Sequence, residues 1–301
     1  MTDPDRPSWL AAAPFVFLAL WSGGYVAAKI GLRDIEPLTL LAVRYALVVA
    51  LMALMFVILR PRLPKTAMGW VHLAVVGFLI QTFYFGFSYL AFGLDVAAGT
   101  AALVMSLQPI LVAMLAPWLA GERVGPRRWI GLILGLAGTV IVILARSEIE
   151  TPSALGLFFA FVALFGMIAA TLYEKRLGVS AHPVTANLIG FVAGLAGILP
   201  FALILEQQVI NWTPSLVGVL AYLVLGNSLV ATTVLLAMVR HGEVSRVSAL
   251  MFLVPPVAAI FAWIMLGEVM PPLAWVGIAL AGLGVWLATA RQREAARGGA
   301  A

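Results

Sequence analysis

The sequence predicts an all-α membrane protein of ten transmembrane helices, arranged as two inverted five-helix repeats with both termini cytoplasmic. Three observations predict it. The 301 residues are 63% hydrophobic and only 10% charged, whereas a soluble globular domain carries about 25% charged residues and needs them to cover its surface. The mean hydropathy of +1.07 is spread along the chain in ten apolar stretches, each close to the roughly 20 residues that cross a bilayer. Residues 109–138 also recur in register 146 positions later.

The stretches run from about Trp9 to Ile30, Pro37 to Leu59, Gly69 to Phe92, Val96 to Leu119, and Arg127 to Ala145. The second series runs from about Ser153 to Tyr173, Val184 to Leu205, Ser215 to Val239, Ser245 to Leu266, and Pro272 to Ala290. Nearly every gap holds Pro, Gly or a charge, which are the residues that end helices or refuse the hydrocarbon. Asp95 alone separates the third and fourth stretches, but merging them would give a segment about twice a normal span. The basic residues alternate with this count. With the N-terminus inside, 14 of the 18 fall on the cytoplasmic side: Arg6, Arg60, Arg62, Lys65, Arg123, Arg127, Arg128, Lys175, Arg176, Arg240, Arg246, Arg291, Arg293 and Arg297. Short basic loops resist translocation, so this bias sets the orientation.

The duplication rests on identities at one offset. Pro109 matches Pro255, Gly121 matches Gly267, Glu122 matches Glu268, Pro126 matches Pro272, Trp129 matches Trp275, Gly131 matches Gly277, and Gly138 matches Gly284. The two repeats, residues 9–145 and 153–290, each contain five spans. An odd number forces the second to enter the bilayer from the opposite side, an arrangement found in many secondary carriers.

Composition excludes several functions. The chain has no cysteine and three histidines, leaving no disulfide framework or thiolate site and little for zinc. No Walker lysine motif, dinucleotide fingerprint, HExxH or nucleophile elbow occurs, so neither an enzyme nor a cofactor is expected. The net charge of +5 is scattered over interhelical loops and does not form the single field that nucleic acid requires. The expected partners are a small-molecule substrate and the lipid bilayer. The GxxxG spacings at Gly131 and Gly135 and at Gly190 and Gly194 permit close helix contact, within the bundle or across a homodimer.

Charge inside the hydrocarbon needs a partner or an aqueous cavity. Arg44, in LAVRYALVV, is therefore the most informative residue, and Lys29 lies near the end of the first span with Lys175 at the matching position. On the third span, Gln81, Tyr84 and Ser88 share a helical face with Phe85 and Tyr89 alongside, because spacings of three and four stack on one side. A cavity there would stack an apolar substrate and bond its polar end. Trp21 and Tyr25 on the first span, Gln108 on the fourth, Asn187 on the seventh, Asn227 on the eighth and Trp263 on the ninth are further cavity candidates, although buried amides also serve as links between helices. Pro109, with the pair Pro255 and Pro256, would interrupt matching helices as hinges or kinks. Glu122 and Glu268, just beyond helix ends and before another helix, read as structural carboxylates near a helix N-terminus.

WSGGYVAAK on the first span, Arg44 on the second and the doubled Pro…Gly-Glu…Trp…Gly pattern together resemble the drug/metabolite transporter superfamily in its EamA-like branch of ten-helix bacterial inner-membrane proteins. The resemblance covers effectively the whole chain. It implies a central cavity, with the last span of each half packed outside as scaffold and Trp21, Tyr25, Tyr84, Gln108, Asn187 and Asn227 among the lining. It also implies export of small metabolites such as amino acids. A multidrug or quaternary-amine exporter of the same fold is the alternative, and a channel or a membrane sensor is a third reading. The second repeat departs from the pattern at Leu172-Tyr173-Glu174-Lys175, where the first-span motif is not copied.

Overall fold

A computed structural model describes residues 12–94, 96, 101, 104–122, 124–146, 153–179, 181–241, 244–266 and 269–289. Among the described residues, eight helices are long and apolar enough to cross a membrane: α1 (Ala13–Gly31), α2 (Pro37–Leu59), α3 (Ala67–Gly93), α5 (Pro126–Arg146), α6 (Ala154–Leu177), α7 (Pro183–Leu205), α8 (Pro214–Val239) and α10 (Pro272–Thr289). Two shorter apolar helices, α4 (Gln108–Leu119) and α9 (Val254–Leu266), stand where the fourth and ninth spans were expected. The chain is thus an all-α, multi-spanning membrane protein.

Proline starts most of these helices. It occupies one of the first two positions in α1, α2, α4, α5, α7, α8, α9 and α10, where its missing N–H costs nothing and its fixed φ suits the first turn. The other two begin with a hydroxyl cap: Thr66 accepts from the Gly69 N–H at the start of α3, and Ser153 from the Gly156 N–H at the start of α6. Pro109 and Pro255 therefore open helices, the first after a turn at residues 106–107 and the second after a 3₁₀ segment, Leu250–Leu253. This is why α4 and α9 are shorter than the apolar stretches that contain them.

A second irregularity had no sequence signal. The middle of α3 (Leu79–Gly86) and the middle of α8 (Leu223–Ala231) are wound as π-helix. Such a turn displaces carbonyls from the helical ladder and recurs at functional sites. Here side chains capture them: the Tyr45 hydroxyl donates to the Gln81 carbonyl at 3.0 Å, and the Thr232 hydroxyl to the Asn227 carbonyl at 3.3 Å.

α1 packs on α8 and α9, α6 on α3 and α4, α3 and α2 on α7, and α2 also on α8. α5 and α10 lie against each other, with Leu132, Val285 and Ala288 in a small cluster separate from the main core. Their contact is made through glycine: a methyl group at Gly138 would lie 2.3 Å from the Ala281 backbone, and one at Gly284 would lie 2.2 Å from that of Gly135. α3 and α7 cross just as closely, since a methyl group on Gly77 would lie 2.1 Å from the Gly190 Cα. Both GxxxG pairs are thereby used inside the bundle.

The two ends of the bundle are built differently. At one, the Glu206 carboxylate at the C-terminus of α7 caps α2, accepting from the Leu38 N–H, the Thr39 N–H and the Thr39 hydroxyl, each at 2.7 Å. The same end is laced by Asn211 N–H to the Asp34 carbonyl (2.8 Å), by the Thr213 hydroxyl to the Asp34 carboxylate (2.9 Å), and by a bridge between Ile35 and Ile210. At the opposite end Thr185, 146 residues after Thr39, makes a 3.3 Å bond to the Arg62 carbonyl.

Candidate functional site

The site begins with the glycines of the first span. Gly23 and Gly24 bring α1 so close to α8 that a methyl group would meet the Tyr222 hydroxyl at 2.2 Å and the Asn227 amide nitrogen at 2.4 Å. Both side chains use the approach to donate to the Leu20 carbonyl, Tyr222 at 2.9 Å and Asn227 at 3.2 Å. With its amide nitrogen so engaged, Asn227 turns its oxygen toward α2.

Arg44 occupies that position and is fully buried. Its Nη2 donates to Asn227 Oδ1 and its Nε to Ser228 Oγ, both at 2.7 Å. Its guanidinium carbon lies 4.8 Å from the centre of the Phe85 ring and 5.8 Å from that of Tyr45. Nη1 is buried and makes no hydrogen bond among the described residues. The cation is thus oriented by two neutral oxygens and two rings, which satisfy its geometry more fully than its charge.

Around it is a small cavity on the Glu206 side of the bundle centre, walled by Trp21, Tyr25, Tyr84, Phe85, Tyr89 and Phe92, with Ser88 and Asn227 also at its surface. Trp21 stacks on Tyr84 at 6.0 Å and leans on Phe85 at 5.6 Å. The Tyr25 and Tyr84 hydroxyls share a hydrogen bond of 3.1 Å. A second cavity lies toward the opposite end, lined by Gln81, Asn187, Glu174, Thr232 and Phe191. There Asn187 donates to the Thr233 hydroxyl at 2.5 Å, and the Gln81 Oε1 is buried without a hydrogen bond. The two cavities meet at the π segments, where Gln81 faces one and Tyr84 the other. Each has open room for only about one or two water molecules.

The structure therefore brings Trp21, Tyr25, Arg44, Tyr84, Ser88, Tyr89 and Asn227 together and puts Gln81 and Asn187 at the neighbouring cavity. Three expected lining residues, Lys29, Trp263 and Gln108, lie elsewhere. Lys29, the residue after Ala28 near the end of α1, is exposed, in keeping with an amine that seeks the interface. Trp263 is 44% exposed and packs edge-on against Trp275 at 5.6 Å, because its face of α9 turns toward α10. Gln108 is buried at the start of α4 and lines neither cavity. Pro109, Pro255 and Pro256 lie in the first turns of their helices, away from both cavities. Glu122 is half-exposed between α4 and α5, after Gly121 turns the chain at φ +68°; Glu268 lies outside the described residues.

Sequence reasoning missed the cap at Glu206 and the burial of Glu174. Neither has a local signature, since both depend on a helix distant in sequence. Among the described residues, no group of three His, Asp or Glu side chains comes together as a metal site.

The profile of the EamA-like transporter family matches the chain twice, over residues 8–144 and 154–290. A probable amino-acid metabolite efflux pump of Salmonella typhimurium is 29% identical over 286 residues, covering 90% of this chain and 93% of its own. An uncharacterized transporter of Archaeoglobus fulgidus is 25% identical over 281 residues, with 92% and 96% covered. One crystal structure superposes with a TM-score of 0.79 over 94% of this chain and 98% of its own, at 21% identity, a likeness of fold.

Proposed function

The chain belongs to the EamA-like transporter family, and on that premise we propose that it is an alternating-access exporter of small metabolites, amino acids foremost, in a bacterial inner membrane. The observation that carries the mechanism is the pair of cavities, one toward each end of the bundle and divided by the π segments of α3 and α8. A carrier needs a site reachable from either side but never from both. Neither cavity holds an amino acid as it stands, so the conformation reads as occluded, and loading requires helices to part on one side. Substrate that binds better to the switching form than to the resting ones lowers the cost of that change. No covalent chemistry is involved.

The helix pairings support two inverted repeats, residues 9–145 and 153–290, and the bias of the basic residues supports cytoplasmic termini. Exchanging α1–α5 for α6–α10 turns the α1–α8 contact into α6–α3, α1–α9 into α6–α4, and α3–α7 into α8–α2, while α2–α7 and α5–α10 map onto themselves. The substrate class is supported by the aromatic walls around Arg44, which suit an apolar side chain and a carboxylate, and by the relatives named as amino-acid metabolite efflux pumps.

The deciding experiment is counterflow in proteoliposomes with a labelled panel of aromatic, branched-chain and hydroxy amino acids, using sugars and quaternary amines as competitors. Saturable exchange competed by amino acids is expected. Exchange competed only by quaternary amines would replace the amino-acid reading with drug export, and linear, unsaturable flux would replace the carrier with a channel.

A further inference from the structure

Resting on the carrier reading, we propose that the cavity on the Glu206 side selects substrates by charge. Its preferred occupant is an organic anion with an aromatic or apolar body, held through a carboxylate on Nη1 of Arg44. A zwitterion ranks second and a cation is excluded.

The argument starts from the cost of Arg44. A guanidinium stays charged in a protein, and a buried charge is tolerated only when paired or fully hydrogen-bonded. Arg44 is fully buried, two of its three nitrogens are used on the neutral oxygens of Asn227 and Ser228, and the third has no hydrogen-bond partner among the described residues. Among the described residues no carboxylate lines this cavity. The Phe85 face offsets part of the charge, but no anion among the described residues lining the cavity balances it.

Its orientation is fixed in advance. Asn227 is held by its bond to the Leu20 carbonyl and by the close approach of Gly24, so the oxygen facing Arg44 has little freedom. A guanidinium positioned by neutral acceptors keeps its charge for the ligand. A carboxylate arriving at Nη1 makes a charge-assisted bond of the strong kind, while Trp21, Tyr84 and Tyr89 supply walls for a ring or branched body. The cavity offers an ammonium group only tyrosine and serine hydroxyls and ring faces, and Arg44 repels it. The amino group of an amino acid is therefore tolerated, whereas the carboxylate is required.

The test is calorimetric titration of the purified full chain in detergent with four ligands that share one phenethyl body: 3-phenylpropanoate, L-phenylalanine, 3-phenylpropanamide and phenethylamine. The anion is expected to bind roughly tenfold or more tightly than the neutral amide, a single charge-assisted bond being worth at least that factor, with the zwitterion between them and the amine weakest. Arg44→Gln should level the series and Arg44→Lys should keep its order. Equal binding of amine and carboxylate, equal binding of amide and carboxylate, or no binding by any of the four overturns the proposal. An order that survives Arg44→Gln overturns it as well. If the variants fail to fold, the wild-type ranking decides alone. Amino-acid counterflow without this charge order sinks only the present proposal, whereas the charge order without counterflow sinks the carrier reading and leaves the site.

Discussion

Replacing Glu206 by alanine removes one side chain and loosens one end of the bundle, and the size of the effect follows from its bonds. The carboxylate holds two backbone N–H groups and a hydroxyl at the start of α2, each at 2.7 Å, from the end of α7. Losing a helix cap costs about 0.5–2 kcal/mol, and losing the negative charge at a helix N-terminus costs about 0.3–1 kcal/mol more. Glu206 is half-exposed, so water re-satisfies part of what is lost, and a total of about 0.7–2 kcal/mol follows. At about 1.4 kcal/mol per factor of ten, the population open at this end should rise about 3- to 30-fold.

The chain contains no cysteine, so Ser88→Cys places a single thiol at the cavity on that side, and its alkylation rate by a bulky maleimide reports opening. Glu206→Ala should speed labelling by the factor above, and Glu206→Gln, which keeps one acceptor oxygen but no charge, by about half as much on a logarithmic scale. Equal rates in all three proteins would refute the reasoning. A fall in thermal stability with no change in labelling would show that the carboxylate serves the helix start alone and does not hold the end closed.

Two further outcomes are expected. At the α5–α10 contact, Gly284→Ala places a methyl group 2.2 Å from backbone and should destabilise the protein by roughly 1–3 kcal/mol. Gly282→Ala, two residues away with nothing within 4 Å, should be neutral or stabilise by up to about 1 kcal/mol; denaturant unfolding of the two variants separates them, and equal losses would contradict the close crossing. For orientation, Gln207→Cys should react with an impermeant maleimide in intact cells and Leu63→Cys only after permeabilisation, since the two exposed positions lie at opposite ends. The reverse pattern would invert the topology proposed from the basic residues.

The sequence by itself determined that this is a helical membrane protein, where most of its helices begin, and that the charge of Arg44 falls inside one of them. Those properties are local or compositional: proline and hydroxyl caps start helices wherever the chain runs, and Arg44 stands out because hydrocarbon tolerates so few charges. The matching segments at an offset of 146 were equally legible, being a comparison of the chain with itself. Tertiary structure alone decided which faces line the cavities. The third span carries a polar stripe that marks the side of Tyr84, but the ninth is apolar all round and has none, so only packing shows that Trp263 turns toward α10 and not into Arg44's cavity. The π turns were illegible because shifting a hydrogen bond by one residue leaves composition untouched. The cap from Glu206 to α2 and the setting of Arg44 by Asn227 join residues 168 and 183 positions apart, and such bonds exist only once α2 lies beside α7 and α8.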